Sequence, residues 1–211
     1  VLRIYDYELS AEAYKARLLL SLLGVSWSTV HIDFYPGREH REPWFLALNP
    51  RGELPVIDDD GEIITGDAQA ILVHLARRCD PTRCWYPDHT TQLIGQVSIW
   101  LSFAEALTQT AGAARLHDAF FYDHIDIDQS RAGARELLRA IDEHLWFAEY
   151  EGRAWLCTPA HPTIADIACF PDVMLAEEGG VALDDYRALR RWTHRIKRLP
   201  HFVPMPGIFP I

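Results

Sequence analysis

The spacing of hydrophobic and polar positions changes character along this chain. Leu2, Ile4 and Tyr5 mark a short buried strand, and Ala13, Ala16, Leu20 and Leu23 recur at helical spacing. Ser10 stands before that helix as an N-cap and Gly24 closes it. Trp27, Val30 and Ile32 then mark a second strand, so strand, helix and strand predict a parallel unit. Pro43 to Leu48 reads as a short helix ended by Asn49-Pro50. Next comes a hairpin: Leu54-Pro55-Val56-Ile57, the acidic turn Asp58-Asp59-Asp60-Gly61, and Ile63-Ile64. Asp67 caps a helix with Ala70, Ile71 and Leu75 on its apolar side. Pro55 stands where a strand begins, a position that needs no ladder donor and accepts a cis bond.

Beyond this region the strand signals stop. Cys79 to Asp88 (CDPTRCWYPD) lacks periodicity and reads as a linker. Gln92 to Ala114 is a long amphipathic helix with Ile99, Trp100, Phe103, Ala104 and Leu107 in register. Phe120 to Asp128 is an aromatic and acidic connector, and Arg131 to Tyr150 forms another helix. Thr163-Ile164-Ala165-Asp166 has the logic of a capping box, with Asp in place of Glu, before a buried helix. Tyr186 to Leu199 gives one more. The tail from Pro200 to Ile211 is Pro-rich yet apolar, so it packs on something, as a pocket lid or as cover for a seam. The expected division is residues 1–78 as a mixed α/β domain, 79–88 as linker and 89–211 as an all-helical domain.

Composition narrows the functional classes. A chain of 211 residues should bury roughly 70% of its unfolded surface, enough for real cores. A net charge of −10 disfavours nucleic-acid backbones and anionic membranes as partners. No segment reaches the roughly 20 apolar residues of a membrane span. The sequence enters directly on a strand pattern, so no signal peptide is expected, and its four scattered cysteines fit neither a disulfide framework nor a zinc site. A reduced, cytoplasmic setting is the expectation. His117, His124 and the nearby aspartates match no ligand spacing, so no metal is expected.

Four motifs resemble the cytosolic glutathione transferases, and the resemblance spans essentially the whole chain. Gly52, Leu54, Pro55 and Val56 match a cis-proline motif of the type G-x-[LV]-P-V; Asp67, Gln69, Ala70 and Ile71 match [EQD]-S-x-A-I. Leu9 to Leu18 looks like the bacterial pattern S-G-N-x-Y-K-V-R-L, and Thr163 to Asp166 like the family's [ST]-x-A-D box. The resemblance implies a thioredoxin-like α/β domain followed by an all-α domain, with glutathione as co-substrate and a two-fold homodimer. It gives Leu54 a backbone pairing with the cysteinyl part of glutathione, beside Pro55. Asp67 takes the γ-glutamyl ammonium and Ala68 offers its backbone N–H to the γ-glutamyl carboxylate. Glu53 and Arg38 fall near the glycyl carboxylate. Trp100, Phe103, Leu107 and Tyr7 are the expected pocket for the second substrate.

Ser10 is the expected catalytic residue. A hydroxyl donor at a helix N-terminus favours thiolate over thiol, and lowering a thiol pKa by one to two units takes about 1.4 to 2.7 kcal/mol. One charge-assisted hydrogen bond is of that size. Ser10 is equally suited to serve as an N-cap alone, and Tyr5 and Tyr7 are alternative hydroxyls. Three residues depart from the family pattern. Ala68 replaces a serine, Glu12 puts a carboxylate near the thiolate, and Glu53 repels the glycyl carboxylate unless Arg38, Arg41 or Arg51 compensates. The expected reaction is attack of the glutathione thiolate on an apolar electrophile. The alternatives are a binding or scaffold protein with weak or no glutathione binding, and a glutathione-dependent lyase or dehalogenase.

Overall fold

The computed structural model describes residues 2–65 and 67–211. Its first part is a four-stranded sheet in the order β2-β1-β3-β4, built from β1 (Leu2–Asp6), β2 (Ser28–His31), β3 (Val56–Asp59) and β4 (Glu62–Ile64). β1 runs parallel to β2 and antiparallel to β3, and β3 pairs antiparallel with β4. α1 (Ala11–Leu22) links β1 to β2, α2 (Pro43–Leu48) precedes β3, and α3 (Ala68–Cys79) follows β4. Side chains alternate across the sheet as strand geometry requires. Leu2, Ile4 and Ile57 join the large core with α1 and α3. Tyr5 and Val56 turn to the other side, where they meet Ile32 and Phe45 of α2.

The second part is helical: α4 (Thr91–Leu107), α5 (Ala113–Phe120), α6 (Ile127–Tyr150), α7 (Ile164–Met174) and α8 (Arg187–Lys197). α4 passes into α5 through a π-helical turn, Thr108–Gly112, so the helix expected over 92–114 extends to Phe120. The expected start of the next helix at Arg131 moves to Ile127, because Asp126 caps it through Gln129 N at 3.0 Å. The connector between Asp80 and Thr90 is pinned. The Asp80 carboxylate accepts from Thr82 N and Trp85 N (2.9 and 2.8 Å), and the Trp85 carbonyl accepts from Ile164 N at 2.8 Å. One apolar core runs from β1 and α1 through α3 into α4, α6, α7 and α8. Among the described residues no helix is long and apolar enough to cross a membrane.

The tail lies along α1. The Tyr14 hydroxyl donates to Val203 O and the Ser21 hydroxyl to His201 O, both at 2.7 Å. Tyr14, whose facing the sequence left open, is therefore fully buried under the tail.

Candidate active site

Strand directions bring the motif residues to one end of the sheet. Tyr5 pairs with Val56, so the turn after β1 (Tyr7 to Ser10) meets the residues that enter β3. The parallel pairing of Asp6 with His31 puts the end of β2 there too. Ile57 pairs with Ile64, which returns β4 to that end and starts α3 nearby. A sequence reader sees these as distant motifs; antiparallel and parallel pairing makes them neighbours.

Ser10 caps α1. Its Oγ accepts from Ala13 N at 3.1 Å, while its own N–H donates to Tyr7 O at 2.9 Å. The capping bond uses an oxygen lone pair, so the hydroxyl proton stays available to a ligand. Tyr7 is half-buried, stacked on Phe34 at 5.6 Å. Burial, reinforced by Glu8, Asp33 and Tyr122, pushes its phenol above the ordinary tyrosine range, so it remains a donor. Phe34 stacks in turn on the buried His40, centroid to centroid at 3.8 Å. Burial, followed by the charges of Arg41 and Arg38, lowers the His40 pKa and favours the neutral ring.

The Leu54–Pro55 peptide bond is cis, and Leu54 packs with Ile32, Phe45 and Val56. Gly52, at φ +64°, is required twice over: a Cβ there would sit 2.8 Å from the His40 carbonyl oxygen. Glu53 is paired with Arg51 at 2.7 Å, and its carbonyl accepts from Asn49 Nδ2 at 2.9 Å. Of the three arginines that the sequence offers near Glu53, Arg51 is the one paired with it. Arg38 is exposed and left-handed (φ 57°), at the start of a 3-10 turn over Glu39–Arg41.

Asp67 caps α3, with Oδ1 accepting from Ala70 N at 2.7 Å. Ala68 is 2% exposed, so its methyl is packed. Beside Asp67 lies a cavity of about 420 Å³ between α3 and α4, lined by Gln69, Ala70, Val73, Leu101, Ser102 and Glu105. Gln69 Nε2 donates to Glu105 Oε2 at 3.1 Å, and Gln69 Oε1 is buried with no partner among the described residues.

Two sequence expectations need correction. Glu12 does not stand as a lone carboxylate against a thiolate. It is bonded to Lys15 Nζ and lies 3.1 Å from Thr108 Oγ1. Lys15, fully buried, also meets Asp172 at 2.9 Å. Burial alone would lower the Lys15 ammonium pKa, but Asp172 and Glu12 outweigh it and raise it. Likewise, Trp100 and Leu107 do not line a pocket. Leu107 is fully buried, and Trp100 packs on Phe103 at 5.0 Å and on His144 of α6 at 4.7 Å. Their helical register served the core between α4 and α6; Phe103 is left half-buried beside them.

Sequence reasoning did not find Phe34, His40, Tyr122 or Arg115, because each comes from a loop or helix whose local pattern carries no site signal. The four cysteines are unbridged. Burial pushes the Cys157 thiol up to about 12 and Cys169 well above its ordinary range, so neither is a nucleophile. Among the described residues no group of three His, Cys, Asp or Glu could hold a metal ion.

A thioredoxin-like sheet domain with a cis-proline entry to β3, joined to a helical domain behind α1 and α3, defines the class of protein as the glutathione transferase fold. Residues 9–78 match the family model of the glutathione S-transferase N-terminal domain. Over 90% of its length the chain is 26% identical to the maleylacetoacetate isomerase of Pseudomonas aeruginosa, covering 88% of that protein. It superposes on a glutathione S-transferase from Pseudomonas fluorescens with a TM-score of 0.85 and 26% identity, over 97% of this chain and 98% of that one. A glutathione transferase homologue from Lodderomyces elongisporus, holding two GSH per subunit, shares the fold at a TM-score of 0.81 and 21% identity, over 95% and 94% of the two chains. The chain thus carries a glutathione S-transferase N-terminal domain over residues 9–78 and has the fold of the glutathione transferases, and its relatives include proteins named as glutathione S-transferase and maleylacetoacetate isomerase.

Proposed function

We propose that this protein binds glutathione at the end of the sheet and transfers its thiolate to an apolar electrophile. The observation that carries the reading is Ser10, a half-buried N-cap whose hydroxyl proton is uncommitted, beside the cis Leu54–Pro55 step. In the proposed complex the Ser10 hydroxyl donates to the glutathione sulfur, adding to the positive end of α1. The Leu54 backbone pairs with the cysteinyl unit, and Asp67 with the Ala68 N–H receives the γ-glutamyl group. Arg38 faces the glycyl carboxylate, with Glu53 neutralised by Arg51. The electrophile sits against Tyr7, Phe34 and Tyr122 in place of the core residues Trp100 and Leu107. Glutathione in the Lodderomyces homologue and the family match support this reading.

The proposed division of labour follows residues 1–78 for glutathione, 79–88 as connector and 89–211 for the second substrate. A two-fold homodimer through α4 is supported by its exposed strip of uncharged residues, Gly95, Ser98, Ile99 and Ser102, on a chain of net charge −10. A cytoplasmic setting goes with reduced glutathione as co-substrate.

A second reading, glutathione-dependent isomerisation, is favoured by the name of the Pseudomonas aeruginosa relative. There the thiolate adds to an activated double bond, the resulting single bond rotates, and the thiolate leaves. Both readings use one thiolate site, and product analysis separates them: transfer consumes glutathione, isomerisation returns it. The primary test is calorimetric titration with glutathione, beside Ser10→Ala. Binding at micromolar to low-millimolar concentration, with turnover lost but binding kept in the variant, is the expected result. No binding at several millimolar would overturn both readings in favour of a binding or scaffold role.

A further inference from the structure

The turn that carries Ser10 is held by two arginines on consecutive carbonyls. From α1, Arg17 donates to Glu8 O at 3.2 Å while its other nitrogen meets the buried Asp6 at 3.1 Å. From α5, in the helical half, Arg115 donates to Leu9 O at 2.9 Å. Arg115 is only 6% exposed, far too buried to be an incidental surface contact. Its Nε donates to Glu178 at 2.6 Å and its guanidinium lies 4.9 Å from the centre of the Phe120 ring.

The support behind Arg115 is built as closely. Glu178 belongs to a 3-10 turn over Ala176–Gly179 that packs against α5. A Cβ at Gly179 would stand 2.7 Å from Arg115 N, so a larger residue would push the turn off the helix. From the tail, Gly207 closes on Glu178: a Cβ there would lie 2.2 Å from its Oε1. The line of contacts runs from tail to Glu178, to Arg115, to Leu9 and so to Ser10.

We propose that Arg115 is a positioning residue for the thiolate site, reaching across from the helical half to fix the turn that presents Ser10. The proposal deepens the transferase reading and rests on it. A planar guanidinium suits the task because it binds a carboxylate and a carbonyl along two fixed directions at once, which an ammonium on a flexible stem does less well. Its effect passes through geometry: a hydroxyl displaced from the sulfur loses the hydrogen bond that favours thiolate. The tail thereby acts as backing for the site, behind α1, in place of a lid.

The experiment compares native protein with Arg115→Met, Arg115→Lys and Glu178→Gln by two readouts. Hydrogen exchange of residues 7–14 in the unliganded protein reads the clamp, and ultraviolet titration of bound glutathione reads the thiolate. Arg115→Met should speed exchange in that segment and raise the bound thiol pKa by about one unit, or about tenfold less thiolate at a fixed pH below it. Glutathione affinity should hold. Arg115→Lys should restore part of the shift, and Glu178→Gln should move it in the same direction by less. Unchanged exchange in the segment, or an unchanged thiol pKa with only a lower melting temperature, would overturn the assignment. Failure of the native protein itself to bind glutathione would instead sink the transferase reading and the thiolate role together.

Discussion

Two hydroxyl N-caps of this molecule, Ser10 on α1 and Thr163 on α7, begin from similar local signals and end in opposite surroundings. Thr163 and Asp166 form a complete capping box, both fully buried. Asp166 accepts from Thr163 N and Trp192 Nε1 at 2.8 Å and from Leu156 N at 3.1 Å, so the group is spent on folding. Ser10 makes the capping bond and no box, because N3 of α1 is Ala13. It lies half-buried at the end of the sheet with a proton to give. A cap that the fold encloses is spent on folding; a cap left open keeps a proton to give, as the thiolate role proposed for Ser10 requires.

The comparison can be broken most forcefully at Asp166. Asp166→Ala leaves the buried donors Thr163 N, Leu156 N and Trp192 Nε1, and the more distant Thr163 hydroxyl, without this partner, at about 1–3 kcal/mol for each of the first three. Urea unfolding should show a loss of at least about 3 kcal/mol, while the protein that remains folded should bind glutathione as before. A selective loss of binding in stable protein would mean that the two caps do not differ as argued.

Lys15→Met tests the charged cluster that removes Glu12 from the site. It strands Glu12 and Asp172 together without their cation, a loss of about 3–5 kcal/mol. Because the stranded carboxylates are relieved by protonation, the deficit in urea midpoint against native should shrink on acidification. A deficit independent of pH would show a packing defect instead.

Ser10→Ala sharpens the contrast from the other side. Stability should fall by about 1 kcal/mol, the value of a cap. Turnover should fall about tenfold or more, following the lost thiolate fraction. Equal, small effects on both would make Ser10 a cap like any other.

The smallest expected effect is at Glu149, where α6 meets α8. Burial would raise its pKa, but hydrogen bonds and charges from Arg191 and Arg195 hold it below the ordinary carboxylate value. A depressed carboxylate stabilises above its unfolded pKa and ceases to do so as pH falls through the folded one. Glu149→Gln should therefore cost about 1 kcal/mol at neutral pH and nothing in strong acid, by urea midpoints at each pH. A constant difference would assign the loss to geometry alone. Neither outcome should reach the thiolate chemistry proposed for Ser10.

Several features were legible in the chain by itself. Periodicity located the helices and the hairpin, since burying one face imposes a repeat on the residues that make it. Capping residues marked helix starts at Ser10, Asp67 and Thr163, because orphaned N–H groups need an acceptor within three residues. Strand chemistry marked Pro55, and the family resemblance marked Gly52. These are local requirements, and a sequence states local requirements openly.

Other features became visible only in three dimensions. Whether an apolar helix position faces a pocket or a core depends on what packs against it. Trp100 and Leu107 carry the same pattern either way, and α6 with α7 claimed them for the core. The worth of a charge depends on its distant neighbours: Glu12 is paired through Lys15 to Thr108 and Asp172, and Glu53 through Arg51. Arg115 shows no signal in its own helix, yet tertiary folding brings it to the Leu9 carbonyl. Sequence fixes what each residue is able to do within a turn or two of chain. Only the packed structure decides which long-range partner satisfies it, because burial and electrostatics are set by atoms far away along the backbone.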